Sequence, residues 1–454
     1  MRGGPYKHLG EARRDAIGAL EALLEAEPGA EKAVLIQDLF GRLRVVLWPS
    51  SGADVAALVD RIDRGLREAG PGYWTGDVWT VGADASESDR LVYDGAWEEG
   101  TPLTDRLRLD DRHRNRTAWF TRCREPLWAT PDQGDAESGP PVLVFSSFKG
   151  GVGRTTALAS FAVQRAREGD RVAVIDFDLD APGVGTLLAA DEKGTTAPWG
   201  VVDYLLERAL GEVPIEDYIH RCARERVTGD GAILVVPAGR LDDDYLTKLS
   251  RIDLEILSPD QPHPLGLLLE DVRSLLRAEA GGHGRTWILI DARAGLSPAA
   301  GLLLSGLAHL HVLFATMSEQ SLLGLERMVH HLGFERLQEG MQGDTLVVQA
   351  MVPDNSITGD AARRAFASRV ETILRNHYLV RGEDDPEDRL WSVRDIDNKS
   401  APHVSIPITY REAVAFFGCI DDIVPILAED GQYRELSRRI LDRFPEAADI
   451  EEER

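Results

Sequence analysis

Residues 142–156 place the strongest limit on the fold that this chain can adopt. An unbroken apolar run, residues 142–145, predicts a buried strand of a parallel sheet. A glycine-rich loop follows at residues 149–153, and an alanine- and leucine-rich stretch then predicts a helix. Glycine allows a sharp turn that directs several N–H groups to one point, and a helix N-terminus favours negative charge. The stretch therefore predicts a strand, an anion-binding loop and a helix.

The residues of the loop indicate that the anion is the phosphate chain of a nucleotide. Residues 149–156 read Lys-Gly-Gly-Val-Gly-Arg-Thr-Thr. Arg154 could reach the β- and γ-phosphates, and the hydroxyl of Thr155 stands where a P-loop has its magnesium ligand. The predicted phosphate-binding residues are Gly150, Gly151, Val152, Gly153, Arg154, Thr155 and Thr156.

Two positions depart from the strict P-loop pattern, G-x-x-x-x-G-K followed by serine or threonine. Phe148 replaces the first glycine, and Arg154 replaces the lysine. A glycine-rich turn that packs closely and binds nothing is therefore the alternative interpretation. The strand before the loop and the helix after it favour the phosphate loop.

Residues 149–156 resemble the deviant Walker A motif of the ParA/MinD-type ATPases, Lys-Gly-Gly-x-Gly-Lys followed by serine or threonine. With arginine as its last basic residue, the motif is similar to that of the KGGVGR-motif variant ATPases. The resemblance covers roughly residues 140–430 and leaves the N-terminal third unexplained. It implies an ATP-binding homodimer in which Lys149 acts on the nucleotide of the partner subunit.

Three carboxylates follow a second apolar strand, residues 171–175. Asp176, Asp178 and Asp180 leave its end at alternate positions, and ligands of open α/β sheets bind at the carboxyl ends of the strands. Such carboxylates can hold magnesium through water and orient an attacking water. The stretch resembles the switch I region of the same ATPases. The resemblance implies that Asp176 lies in the magnesium shell and that Asp178 orients the water. Carboxylates that only cap the next turn are the alternative.

A third apolar strand, residues 287–290, ends in Asp291, four residues before Gly295. This spacing resembles the Walker B and switch II arrangement. The resemblance implies that Asp291 binds magnesium through a water and that the N–H of Gly295 senses the γ-phosphate. Arg293 lies between them, either to meet phosphate or the partner subunit, or as a surface ion-pair residue.

Recognition of the base is less well defined in the sequence. Residues 405–407, Ser-Ile-Pro, resemble the final Ile-Pro turn that flanks the base in relatives, so Pro407 is an expected nucleotide contact. Relatives often place an asparagine after the strand predicted at residues 346–351. Here that stretch continues through Pro353 to Asn355 and matches poorly, so no base-specific residue is predicted.

Composition divides the chain. Residues 131–141 are rich in proline, glycine and acid and predict a linker. Residues 1–130 predict a small α+β domain, and residues 142–454 the P-loop domain. In the first part, the patterns predict helices at 8–26 and 54–69 and strands at 33–36, 43–48, 74–81 and 90–93. The fold class is therefore α/β, a doubly wound, mostly parallel sheet preceded by a small α+β domain.

Charge limits the partners. The formal net charge of −25 repels DNA and anionic membranes, so we expect neither non-specific DNA binding nor membrane binding. The acidic C-terminal tail also differs from the basic amphipathic helix with which MinD-type proteins bind membranes. One basic cluster, residues 112–124, either binds phosphate, nucleic acid or an acidic partner, or is neutralised by neighbouring acids such as Asp110 and Asp111.

The cysteines indicate the cellular compartment. Cys123, Cys222 and Cys419 are scattered, with no C-x-x-C pair, which argues against disulfides or zinc and fits the cytoplasm. No apolar run approaches the roughly 20 residues of a membrane helix.

Together these features predict a magnesium-dependent, slowly hydrolysing ATPase that acts as a homodimeric switch and engages a protein partner. Arg154 is expected to slow hydrolysis, because a guanidinium is planar and bulkier than an ammonium. The alternatives are an ATP-dependent binding module or scaffold that does not hydrolyse, in a regulatory or anti-phage system, and a scaffold that has lost nucleotide binding. The biological process is not predicted.

Overall fold

We analysed a computed structural model of the chain. The contacts divide it into two units, Met1–Thr117 and Ala118–Arg454. The structure describes residues 7–38, 40–82, 86–112, 127–129, 138–189, 198–208, 210–256, 264–278, 284–339, 343–354, 356–380 and 391–445.

The first unit is a five-stranded sheet with helices on both faces. Its elements are α1 (Leu9–Ala26), β1 (Ala30–Gln37), β2 (Leu43–Pro49), α2 (Val55–Ala69), β3 (Trp74–Thr80), α3 (Glu87–Glu99), β4 (Thr101–Pro102) and β5 (Leu107–Asp111). The strand order is β3-β2-β1-β5-β4. The strands predicted at residues 33–36 and 43–48 are confirmed as parts of β1 and β2, which pair antiparallel.

The alternation of apolar side chains in β1 accounts for the two helical layers of this unit. Leu35 packs with α1 and α2 on one face of the sheet, whereas Val34 and Ile36 point to the other face, where Ala96 of α3 lies. Side chains of a strand alternate between faces, so a strand that is apolar at successive positions is covered on both sides.

The predicted strand at residues 90–93 is wrong, because these residues lie in helix α3. Ser86 caps the helix by accepting a hydrogen bond from the N–H of Asp89 at 3.1 Å. Tyr93, Ala96 and Trp97 follow at helical spacing and pack against the sheet. The cap and this spacing outweigh the strand preference of the short apolar run.

The second unit contains an eight-stranded sheet. Its elements are β6 (Val142–Ser147), α4 (Arg154–Arg167), β7 (Arg171–Phe177), α5 (Val184–Ala189), α6 (Val201–Arg208), β8 (His220–Arg221), α7 (Glu225–Thr228), β9 (Ala232–Val236), α8 (Tyr245–Ile256), α9 (Pro264–Ala278), β10 (Thr286–Ala292), α10 (Pro298–Leu303), β11 (Leu310–Ala315), α11 (Glu319–Glu339), β12 (Asp344–Val352), α12 (Ser356–His377), β13 (Ile406–Thr409), α13 (Glu412–Ala415), α14 (Ile420–Glu429) and α15 (Gly431–Leu441).

The predicted doubly wound, mostly parallel sheet is confirmed. The strand order is β13-β12-β11-β6-β10-β7-β9-β8, and only the short edge strand β8 pairs antiparallel among these strands. Helices α4, α14 and α15 pack on one face. Helices α6, α8 and α9, with α11 and α12 further along, pack on the other.

Strand register brings the predicted site residues together. Asp291 of β10 pairs with Asp176 of β7 on one side and with Phe145 of β6 on the other. Because the three strands are parallel, their carboxyl ends and the loops that follow meet at one edge of the sheet.

Trp128 belongs to the second unit. Its indole N–H donates to the carbonyl of Pro140 at 2.8 Å, and its ring packs in the core with Val142. Most of the predicted linker, Asn355, the acidic tail and residues 113–124 of the basic cluster lie outside the described residues. Arg112, at the start of that cluster, pairs with Asp110 at 3.0 Å. Among the described helices, none is both long enough and apolar enough to span a bilayer.

Candidate functional site: a glycine loop and its carboxylates

Two glycines shape the loop between β6 and α4. Gly151 and Gly153 have φ angles of 69° and 81°, which side-chain-bearing residues rarely adopt. Gly153 is the N-cap of α4, and Arg154 is its first residue. The loop therefore turns back on itself and exposes backbone at the helix N-terminus, as the sequence predicts for an anion site.

Arg154 does not point into open solvent but bridges two carboxylates. Its Nε donates to Oδ1 of Asp291 at 2.6 Å, and one terminal nitrogen donates to Oδ2 of Asp178 at 2.7 Å. The arginine is only 6% exposed. Burial by itself would lower the pKa of Arg154, but the two carboxylates outweigh it and the pKa is raised. The guanidinium is therefore a permanent, buried positive charge between the two acids.

Thr155 is the residue best placed to contact a cation. Its hydroxyl donates to Oδ2 of Asp291 at 2.7 Å, and Thr155 also lines the cleft. Because its proton is directed to Asp291, the oxygen lone pairs of Thr155 are left for a hard cation such as Mg²⁺. Asp291 is fully buried behind it, so it would act through Thr155 or a water.

Asp176 is held by backbone N–H groups. Gly183 and Gly185 donate to its Oδ2 at 3.2 and 3.0 Å, and the N–H of Asp178 donates to its Oδ1 at 3.3 Å. Burial, with the charge of Asp291 as the next cause, raises the pKa of Asp176 to about 7. Asp176 thus anchors the loop after β7, and any contribution to a metal shell would be indirect.

The described side chains do not form a self-sufficient metal site. No group of three or more His, Cys, Asp or Glu residues is arranged to hold a metal ion within the described ranges. The donors that are present, a hydroxyl and buried carboxylates, do fit magnesium, which retains waters and takes its other ligands from substrate phosphates. Thr155 and Asp291 would hold the ion in that arrangement.

A cleft of about 570 Å³ opens over the loop. Its lining includes residues 150–156, the polar and charged residues Ser147, Asp178, Asp180, Arg293, Thr409 and Arg411, and the apolar and aromatic residues Met351, Ile408, Tyr410, Val414, Ala415 and Tyr433. A cleft lined both by charged groups and by apolar and aromatic groups suits a ligand with a phosphate chain and a flat ring.

Phe148 does not block the loop. Its side chain packs with the cluster of α11 and α12, against Gly324. A Cβ at position 324 would lie 1.9 Å from the ring carbon Cγ of Phe148, so only glycine leaves room for the ring. The departure from the strict P-loop pattern at this position is therefore accommodated by a glycine on a helix far along the chain.

Three predicted residues lie outside the cleft lining. Lys149 is exposed and makes no ion pair with the residues that the structure describes. The N–H of Gly295 donates to the carbonyl of Ser147 at 3.0 Å, so it would have to exchange that bond to sense a phosphate. Pro407 lies in β13 just before the lining residues that begin at Ile408.

Arg293 and Asp180 face each other across the cleft opening. Their side chains form an ion pair of 2.6 Å, and both are more than one-third exposed. The pair links the loops that follow β7 and β10. For Arg293 the ion-pair interpretation therefore describes this structure, and Asp180, which had no role by resemblance, is its partner.

Three residues that line the cleft, Met351, Tyr410 and Arg411, were not predicted from the sequence. Met351 has a φ of 59° and is the only non-glycine residue with positive φ among those described. Such backbone strain is concentrated at functional sites, but it has no sequence signal unless the residue is glycine or asparagine. Tyr410 and Arg411 directly follow β13, which contains the Ile-Pro pair, and that proximity was the one available signal.

The parallel sheet, the glycine loop at a helix N-terminus and the carboxylates behind it define a P-loop nucleotide-binding domain. A model of the CobQ/CobB/MinD/ParA nucleotide binding domain matches residues 143–382, just over half of the chain. The chain belongs to this family, and the resemblance to ParA/MinD-type ATPases is confirmed.

Individual relatives match less of the chain. An iron–sulfur cluster carrier protein of Salmonella typhimurium is 37% identical over 59 residues, which are 13% of this chain and 16% of that protein. The chain thus spans about a sixth of the length of that relative. Solved structures that are similar include the cell division ATPase MinD of Pyrococcus furiosus, at 17% identity over 66% of this chain and 98% of that one, with a TM-score of 0.40. An ATP complex of McdA from Cyanothece is 13% identical over 67% of this chain and 97% of that one, with a TM-score of 0.43.

Proposed function

We propose that this protein binds Mg-ATP in the cleft and acts as a nucleotide-gated homodimeric switch that hydrolyses ATP slowly and engages a protein partner. The observation that carries the proposal is the Thr155 hydroxyl, which lines the cleft while donating to Asp291 at 2.7 Å. A hydroxyl oriented in this way presents lone pairs to a cation at the mouth of a glycine loop. A glycine turn that only packs would have no need of it.

The proposed role of each residue follows from its position in the cleft. The backbone of residues 150–156 holds the phosphate chain, and Thr155, supported by Asp291, contacts the magnesium ion. The metal would supply charge neutralisation between the phosphate oxygens. Asp178 orients the attacking water once its carboxylate is available. Tyr410 and Met351 also line the cleft and would contact the base.

Lys149 acts in trans in this proposal. It is exposed, and within the described residues no acid pairs with it, which supports a role outside its own cleft. A cation presented to the nucleotide of the partner subunit stabilises negative charge there and makes dimerisation dependent on ATP. The basic nitrogen would then be buried only in the ATP-bound dimer.

One observation favours the non-hydrolysing alternative. Asp178 is bound to Arg154 at 2.7 Å, so its carboxylate is not available to orient a water in this arrangement. If nucleotide binding leaves that pair intact, the protein would hold ATP and signal through its dimer without turnover. The partner would then read the ATP-bound state alone.

The function is tested with the full-length protein. We would measure Mg-ATP binding, ATP hydrolysis and mass in solution for the wild type, Lys149→Ala and Lys399→Ala; Lys399 is an exposed lysine outside the cleft lining. We expect Lys149→Ala alone to lose hydrolysis and the ATP-dependent dimer while it still binds ATP. Tight binding and dimerisation without turnover in the wild type would support the non-hydrolysing switch. A wild type that binds no ATP would refute the nucleotide site.

The other parts of the proposal follow from charge and composition. The net charge of −25 supports a protein partner rather than DNA or an anionic membrane. We also propose that the N-terminal part and the P-loop part, predicted from the sequence as residues 1–130 and 142–454, are separate domains, with the boundary before Trp128 because its ring packs in the second unit. A chain that begins shortly before Trp128, whose ring packs in the second unit, should fold and bind ATP on its own.

A further inference from the structure

Arg154 pairs with Asp178 and Asp291. Its guanidinium therefore supplies, from within the protein, the positive charge that these buried carboxylates need. Asp176, Asp178 and Asp291 lie at or just after the ends of two neighbouring strands, β7 and β10. Each of the three residues is at most 9% exposed. Arg154 is the one basic side chain described as paired with any of them. Buried acids without a counter-charge are costly, so the site requires positive charge whether or not a nucleotide is present.

The same arginine cannot serve phosphates and both acids at once. Its Nε and one terminal nitrogen are already used, at 2.6 and 2.7 Å. A planar guanidinium has a fixed fork of donors, so turning it towards the glycine loop breaks at least one of these bonds. The bond to Asp178 is the more exposed of the two, because Asp178 lines the cleft and Asp291 does not.

We propose that Arg154 is an internal counter-cation that occupies the carboxylate site in the nucleotide-free protein and is drawn off Asp178 by the phosphates of a nucleotide. The release of Asp178 then completes the hydrolytic site only when nucleotide is bound. While Arg154 is in place, it fills the position between Asp178 and Asp291 that Mg²⁺ alone would otherwise take. The proposal rests on the nucleotide binding proposed above, but its first half can be tested without nucleotide.

The first test uses MgCl₂ alone and thermal unfolding of the full-length protein. The wild type should not be stabilised by 10 mM Mg²⁺. In Arg154→Met the acids lack their counter-charge, and Mg²⁺ should raise Tm by roughly 3 °C or more. Arg293→Met is the matched control, since its partner Asp180 is half-exposed and needs no replacement cation. Equal Mg²⁺ shifts in the wild type and Arg154→Met, or none in either, would overturn the proposal.

A second variant keeps this test decisive if Arg154→Met does not fold. Lysine has a single ammonium group and cannot bridge two carboxylates as the guanidinium does. Arg154→Lys should therefore show the same Mg²⁺-dependent rise in Tm, smaller in size. Absence of any rise in Arg154→Lys would count against the counter-cation in the same way.

The second test measures ATP affinity in a double-mutant cycle. Asp178→Asn frees Arg154 in advance and should tighten ATP binding roughly tenfold. Asp180→Asn removes a negative charge from the same cleft without touching Arg154, and so measures the general electrostatic effect. In the Arg154→Lys variant, Asp178→Asn should increase ATP affinity by less than in the wild type, and by about as much as Asp180→Asn does.

The outcomes separate this inference from the proposed function. Equal gains from Asp178→Asn and Asp180→Asn, unchanged by Arg154→Lys, would overturn the displacement of Arg154 while leaving ATP binding established. Absence of ATP binding in the wild type would overturn both the proposed function and the displacement, whereas the Mg²⁺ experiment would still decide whether Arg154 acts as the counter-cation.

Discussion

Phe148 packs directly on Gly324, and the contact joins the start of the glycine loop to helix α11. A Cβ on residue 324 would lie 1.9 Å from Cγ and 2.2 Å from Cβ of Phe148. The two residues are 176 positions apart in the sequence. The local sequence around either residue therefore does not explain why that residue is present. The contact explains how a phenylalanine can stand where a strict P-loop has glycine.

Gly324→Ala should therefore disturb the phosphate loop from a distance. The added methyl forces the Phe148 ring to move, which we expect to cost about 1–3 kcal/mol of stability and to weaken ATP binding several-fold. Fluorescent-nucleotide titration and chemical denaturation measure the two effects. Phe148→Gly in the same chain removes both the ring and the Cβ that the new methyl would meet, and should restore ATP binding. Gly65→Ala is the control, because a Cβ there meets nothing within 4 Å and a helical alanine is stabilising.

Replacement of Arg154 should also change turnover. We expect Arg154→Lys to hydrolyse ATP several-fold faster than the wild type, because lysine can hold only one acid at a time and leaves Asp178 freer to orient water. Steady-state phosphate release measures the rate. Arg293→Lys changes another arginine that lines the same cleft and controls for general effects of the substitution. Unchanged or reduced turnover in Arg154→Lys would contradict the view that arginine slows the reaction.

Thr155 should couple ATP binding to magnesium. Thr155→Val removes the hydroxyl and leaves a buried oxygen of Asp291 without its donor, at a cost of about 1–3 kcal/mol. We expect wild-type ATP binding to weaken at least tenfold on addition of EDTA, whereas binding to Thr155→Val should be weak and insensitive to EDTA. Thr155→Ser keeps the hydroxyl and should restore the magnesium effect. A strong EDTA effect in the valine variant would place the metal on other residues.

The sequence was sufficient for the parts of the fold and site that depend on local pattern. The strand, glycine loop and helix around Gly153 appear as predicted, and so do the carboxylates that end β7 and β10. These predictions succeed because strand ends in a parallel sheet converge on one edge, so spacing along the chain translates into position.

The rest depended on contacts that local pattern does not contain. The short apolar run at residues 90–93 has strand preference, but the cap at Ser86 and packing on the sheet make it helical. Arg154 binds acids and does not stay free for phosphate, because the start of α4 lies close to the end of β10 in the fold. Local sequence does not contain this proximity. The positive φ of Met351 has no local sequence signal, because methionine rarely adopts this backbone conformation.

Two buried histidines should make the second unit sensitive to acid. His311 is fully buried in β11, and burial lowers its pKa to about 4. Burial also lowers the pKa of His331, in α11, to about 4, and the neighbouring His330 contributes. Both groups take up a proton more readily when the chain is unfolded, where their pKa is near 6.5.

The contribution of these two histidines to stability should therefore be complete above about pH 6.5 and fall as the pH drops towards 4, since the unfolded chain binds more protons at these two groups in that window. The raised pKa of Asp176 acts in the opposite direction, so the histidine contribution is read from the difference between wild type and variant. The loss amounts to about 3 kcal/mol for each histidine by pH 4. Chemical denaturation across this range measures it. His311→Gln should reduce, by the contribution of one titrating group, the slope of the free energy of unfolding against pH. Val312→Ala should instead lower the free energy of unfolding equally at every pH. A dependence unchanged in His311→Gln would show that His311 is not held neutral by the fold.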